Sequence, residues 1–119
     1  MDLYNSSELI KSKKTLSDIL SINPNSFDYY QLAEINIQLG AEDEAISAFY
    51  KAIELKPDFI QAYESLRILL QKNGNFEEAE KVLNKIIRLH PNSKTYNSLA
   101  CVQINLKKFD EGINNLKKA

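Results

Sequence analysis

The apolar residues of this chain recur at helical spacing, in paired blocks. One block places Tyr29, Leu32, Ala33 and Leu39 on a single face, and the next does the same for Ala45, Phe49, Ala52 and Leu55. The pair returns as Tyr63, Leu66 and Leu70 followed by Ala79, Leu83, Ile86 and Leu89. It returns again as Tyr96, Leu99, Ala100 and Leu106 followed by Gly112 and Leu116. Gly40 and Gly74 fall between the two blocks of a pair, where a residue in the left-handed region ends a helix. Pro57 and Pro91 follow the second blocks, because proline cannot continue the hydrogen-bond ladder. The pattern predicts helix pairs over 26–39 and 42–55, 60–73 and 76–89, and 93–106 and 109–119.

Three kinds of marker keep one period. The stretches "GAEDEAISAFYKAIELKPD" and "GNFEEAEKVLNKIIRLHPN" begin 34 residues apart. Pro24, Pro57 and Pro91 are separated by 33 and 34 residues, and Tyr29, Tyr63 and Tyr96 by 34 and 33. A small residue follows each tyrosine sixteen places on (Ala45, Ala79, Gly112), and a large apolar residue comes four places later (Phe49, Leu83, Leu116). A single helix pair cannot bury its apolar face alone. Repetition lets stacked neighbours share a continuous core.

These markers resemble the tetratricopeptide repeat, whose 34 residues carry an aromatic, a Leu and a small residue, then A-x3-F, then P. The chain reads Tyr29-x2-Leu32-Ala33, Ala45-x3-Phe49 and Pro57, then Tyr63-x2-Leu66-Arg67, Ala79-x3-Leu83 and Pro91, then Tyr96-x2-Leu99-Ala100 and Gly112-x3-Leu116. A remnant with Leu9, Ser12-x3-Leu16 and Pro24 precedes them. The resemblance implies an all-α fold, a right-handed α-solenoid of stacked antiparallel helix pairs. About three units plus an N-terminal half repeat are expected in one domain over 1–119, divided as 1–25, 26–59, 60–92 and 93–119. Some positions depart from the pattern. Arg67 stands where Gly or Ala permits close packing, so its guanidinium must snorkel outward or the helix pair must open. Asn36 and Gln103 occupy an aromatic place, as does Glu42, and these changes suggest local loosening.

Composition narrows the function. The charged residues nearly cancel, to a net charge of -1, which argues against a dedicated nucleic-acid or membrane-surface binder. The single cysteine, Cys101, forms no internal disulfide and points to a reducing compartment. The start "MDLYNSSELIKSKK" carries no secretory pattern, and no apolar run approaches the roughly 20 residues of a membrane span. A cytoplasmic protein is expected.

Candidate chemistry is sparse. His90, the one histidine, precedes Pro91 at a helix end with no Cys, His or carboxylate at ligand spacing, so it reads as an exposed loop residue. Nothing near Cys101 would lower its thiol pKa. The carboxylates of "EDE" at 42–44 and "FEE" at 76–78 sit in first helical turns, where they complement the helix dipole. "KSKK" at 11–14 and Lys117-Lys118 read as solvated faces, and "NGN" at 73–75 reads as a turn. The chain is expected to be no enzyme, with no cofactor and no metal.

In the family resembled, first helices line a concave groove that binds peptides or partner segments. Counting from each repeat tyrosine, the groove positions are Tyr30, Gln31, Glu34, Ile37 and Gln38; Glu64, Ser65, Ile68, Gln71 and Lys72; and Asn97, Ser98, Cys101, Ile104 and Asn105, with Lys94 one turn earlier. Tyr30 would supply stacking area, while Gln31, Asn97 and Asn105 would bond a partner backbone. Replacing Tyr30 and Asn97 is expected to leave melting nearly unchanged. A two-carboxylate clamp for chaperone C-termini does not map here: Tyr30, Glu34, Ser65 and Ser98 replace its Lys, Asn, Asn and Arg, and Lys94 alone matches. The leading expectation is a scaffold that binds a protein or peptide. The alternative is a targeting region of a larger enzyme such as an O-linked glycosyltransferase, on the likeness of "KPDFIQAYESL". The pattern opens with half a repeat and breaks off inside a second helix. Ala100, Ile104, Ile113 and Leu116 are therefore expected to lie partly uncovered, in a piece of a longer protein or in a chain that self-associates through its terminal helices.

Overall fold

The computed structural model describes residues 3–119, with side chains from Ser6 onward. Seven helices are present among the described residues, and no strand: α1 (Leu3–Ile22), α2 (Ser26–Gln38), α3 (Glu42–Leu55), α4 (Ile60–Lys72), α5 (Phe76–Leu89), α6 (Ser93–Asn105) and α7 (Phe109–Lys118). Six of them match the expected ranges to within one residue at each end. The difference lies at the C-termini. Leu39 has left the helix, yet its N–H still donates to Ile35 O at 3.0 Å.

The chain forms two compact units, Met1–Ala62 and Tyr63–Ala119. In the first, α1 packs on α2 and α2 on α3; in the second, α5 packs on α6 and α6 on α7. Short connections make sequential helices antiparallel neighbours.

First and second helices begin by different means. Asn25 caps α2 by accepting the Asp28 N–H at 2.9 Å, and Asn92 caps α6 by accepting the Thr95 N–H at 2.9 Å. Each amide also reaches back, Asn25 to the Asn23 carbonyl (3.3 Å) and Asn92 to the His90 carbonyl (3.2 Å), so one side chain braces the whole turn. The second helices α3, α5 and α7 have no side-chain cap bond and carry acids in their first turns instead.

All three first helices end alike. Ala41 N–H bonds Asn36 O (2.8 Å) and Gly40 N–H bonds Ile37 O (3.1 Å), which is a Schellman closure. Asn75 and Gly74 repeat it on Leu70 and Gln71, and Lys108 and Lys107 on Gln103 and Ile104. The closing residue needs positive φ: 79° at Gly40, 77° at Gly74 and 65° at Lys107. The third turn thus places a lysine where the first two place glycine.

The cores follow the repeat markers. Phe49, Ala33, Ala45 and Ala52 are fully buried in the first unit, and Leu66, Ala79, Leu83 and Ile86 in the second. At Gly112, α7 lies close against α6. A Cβ there would lie 2.9 Å from Ile104 Cγ1 and 3.2 Å from the Ala100 carbonyl oxygen. Ala100 is fully buried, contrary to the expectation that it would be uncovered, because α7 folds over it. Ile104, Ile113 and Leu116 are exposed, at 40%, 50% and 46%.

Candidate functional site

None of the expected partner-binding residues is buried. On α2, Gln31 and Gln38 are exposed, and Tyr30, Glu34 and Ile37 are half-buried. On α4, Ile68 and Lys72 are exposed, and Glu64, Ser65 and Gln71 are half-buried. On α6, Lys94, Asn97, Cys101, Ile104 and Asn105 are exposed and Ser98 is half-buried. Other apolar residues of the same helices, among them Ala33, Leu66 and Leu99, turn inward, so each first helix presents to solvent a mainly polar face that also carries Ile68 and Ile104.

Several of these side chains are already engaged. The Tyr30 ring packs against Phe59 (centroids 5.1 Å apart) and Phe49 (6.0 Å) in tilted geometry. It is therefore part of the first unit's aromatic core as well as its surface. This corrects the expectation that replacing Tyr30 would leave melting unchanged: the ring supports two phenylalanines. Asn105 donates to the Cys101 carbonyl one turn back, at 2.9 Å.

Arg67 does not snorkel fully outward. Its side chain is only 12% exposed and lies along α4, with Nη2 3.1 Å from Glu64 Oε2 and Nη1 3.1 Å from Gln71 Oε1. Of these two expected groove residues, Glu64 neutralises the guanidinium and Gln71 accepts a further bond from it. Its Nε is buried without a partner.

Of the polar residues at aromatic places, Asn36 and Gln103 are both buried, and they differ in their surroundings. Gln103 belongs to a chain of bonds joining α5, α6 and α7. Asn115 Nδ2 donates to Gln103 Oε1 (2.6 Å), Gln103 Nε2 donates to Glu80 Oε2 (3.2 Å), and Lys108 Nζ donates to Glu80 Oε1 (2.7 Å). The Glu80 hydrogen bond holds Lys108 above the ordinary lysine range. Asn36 has no such set: it is 2% exposed and its Oδ1 has no partner. The loosening expected at these places is absent at Gln103, where the network fills the space. The sequence flagged both positions as departures, but the partners of Gln103 lie 23 residues before it and 12 after, beyond any local pattern.

His90 and Cys101 are exposed. Among the described residues, no group of three or more His, Cys, Asp or Glu is placed to hold a metal ion. No described helix is long and apolar enough to cross a membrane.

Comparison with known proteins fits this geometry. A family model described as "Tetratricopeptide repeat" matches residues 36–100, and a second with the same description matches 93–119. Among curated relatives, the DnaJ homolog subfamily C member 3 of Gallus gallus is 32% identical over 87 residues, covering 73% of this chain and 16% of that protein. The peroxisomal targeting signal receptor of Saccharomyces cerevisiae is 27% identical over 88 residues, covering 73% and 14%. The chain thus spans a small part of the length of the relatives it matches. Among solved structures, a MamA crystal structure superposes with a TM-score of 0.78 at 23% identity, covering 89% of this chain and 63% of that one. MamA from Desulfovibrio magneticus gives 0.77 at 20% identity, covering 92% and 63%. These likenesses show a shared all-α helical-repeat fold.

Proposed function

Since the chain belongs to the tetratricopeptide repeat family, we propose that it is a non-catalytic interaction scaffold whose first-helix faces bind a peptide or helix of a partner protein. The observation that carries this reading is the accessibility of a mixed polar face on α2, α4 and α6, in helices whose opposite sides are buried. Glu34 and Glu64 stand against Lys72 and Lys94, so no single charge dominates. Such a surface steers highly charged ligands weakly and suits a largely neutral or mixed segment. Gln31, Asn97, Ser98 and Asn105 offer donors and acceptors to a partner backbone, and the exposed edge of Tyr30 offers apolar area. The reducing cytoplasm is the compartment consistent with the unpaired Cys101.

The test is affinity capture of a partner from native lysate, then titration of that partner against the chain and its Gln31→Ala/Asn97→Ala form. The double substitution weakens binding severalfold while melting is unchanged. Equal affinity for both forms would overturn the assignment of the face.

Self-association is a second reading, favoured by Phe109, Ile113 and Leu116 on α7, which expose 55%, 50% and 46% of their surface. Light scattering across a concentration series tests it. A constant monomer mass at high concentration would exclude it.

A further inference from the structure

Helix α7 carries an apolar stripe and two unpaired charges on its open side. Phe109, Ile113 and Leu116 follow one another at spacings of four and three residues, which puts them on one face of the helix. All three are exposed, whereas Phe49 and Leu83, at the place of Leu116 in the earlier repeats, are fully buried. Gly112 and Asn115 turn the adjacent face onto α6, and Ile104 stands beside Gly112 and widens the stripe on that flank. Asp110 and Lys117 lie on the opposite flank. They are seven residues apart, so their side chains leave α7 within about 20° of each other around the helix axis. Both are exposed, and among the described residues neither side chain has an ion pair or hydrogen bond. The other two charges of α7 are turned to their own unit: Lys118 Nζ stands 6.0 Å from the Tyr96 ring centre, and Glu111 acts on Lys108.

We infer that α7 is the contact helix of a homodimer, pairing antiparallel with α7 of a second copy about a two-fold axis near Ile113. The pairing rests on the proposed self-association and gives it a geometry. Ile113 meets its own counterpart, and Phe109 meets Leu116 of the second copy. The two-fold keeps each flank on its own side. Asp110 therefore faces Lys117 of the second copy and Lys117 faces its Asp110, so both unpaired charges are matched at once. A parallel pairing would instead set aspartate against aspartate and lysine against lysine. On the other flank the two Ile104 side chains extend the apolar contact. Exposed ion pairs add little affinity, and their role here is to fix orientation. The stripe falls short of the roughly 800 Å² per partner of a standard interface, so the dissociation constant is expected to be no tighter than about 1 µM.

Sedimentation equilibrium of the full chain, from micromolar to millimolar concentration, measures the dimer. The parent is expected to dimerise. Asp110→Lys sets lysine against lysine at both ends of the contact, and Lys117→Glu sets acid against acid, so each variant alone should dimerise about tenfold more weakly or worse. An equimolar mixture of the two restores opposite charges at both ends and should recover the parent's affinity. Ile113→Ser, at the centre of the stripe, should weaken the dimer at least as much. Circular dichroism checks that every variant keeps the parent's helicity. A parent that stays monomeric throughout would overturn the pairing together with self-association itself, and would leave the stripe to a helix of another protein. A parent dimer that survives either charge substitution or Ile113→Ser, or charge variants that stay as weak when mixed, would overturn the antiparallel α7 pairing alone.

Discussion

The side-chain amide of Asn115 donates to Gln103 Oε1 at 2.6 Å, tying the last helix to the one before it through two buried polar groups. Asn115→Ala removes the donor and leaves the Gln103 oxygen buried without one. The expected loss is about 1–3 kcal/mol of stability, the penalty for an unsatisfied buried polar atom. Urea unfolding measures it. A midpoint unchanged by the substitution would show that α7 is held by its apolar contacts alone.

Lys107 closes the third first-helix turn at φ 65°, in a conformation the chain otherwise gives to Gly40 and Gly74. A side chain in that region costs roughly 1–2 kcal/mol, and glycine gives back part of the gain as unfolded-state entropy. Lys107→Gly should therefore raise stability by about 0.5–1 kcal/mol. Gly40→Ala should lower it by about 1–2 kcal/mol, although a methyl group there would touch nothing, because the strain lies in the backbone. Thermal melting of both variants checks the pair of opposite signs.

Phe49 is fully buried, and its ring lies 6.0 Å from that of Tyr30. Phe49→Ala is expected to lose about 3–5 kcal/mol. Tyr30→Ala should also destabilise the chain, by a smaller amount because the ring is only half-buried, and Tyr30→Phe should restore the packing. Equilibrium unfolding of the three variants orders them. Stability equal to the parent in Tyr30→Ala would place that ring wholly at the surface.

Few screened ion pairs contribute to the proposed partner surface, so affinity should fall only modestly between low and physiological salt. Titration of a captured partner at several ionic strengths measures the slope. A steep loss would mean a charged ligand and a different set of contacts.

Much of the fold was legible because it is written three times. The tyrosine, small-residue, large-residue and proline markers locate six helices to within one residue, since each marker does a local job: turning, capping or filling a seam. The polar interior was less legible. Asn36 and Gln103 look alike in sequence, yet one is fully bonded and the other has a bare oxygen, because the difference is made by Asn115 against Ala48 on a neighbouring helix. Arg67 misled for the same reason. A guanidinium that seems to demand solvent has both terminal nitrogens held by Glu64 and Gln71 on its own helix, while its Nε stays buried and unpaired. The exposed candidates, such as Gln31 and Asn97, follow directly from the periodicity, which fixes the outward face of a helix and says nothing of what it meets.

The partner is expected on the first-helix faces. A photo-crosslinking residue placed singly at Gln31, Asn97, Asp43 and Lys81 samples first-helix and second-helix surfaces, all four positions being exposed. With a captured partner at saturating concentration, cross-links should form from positions 31 and 97 and be absent from 43 and 81. Cross-links from 43 and 81, with none from 31 and 97, would contradict it.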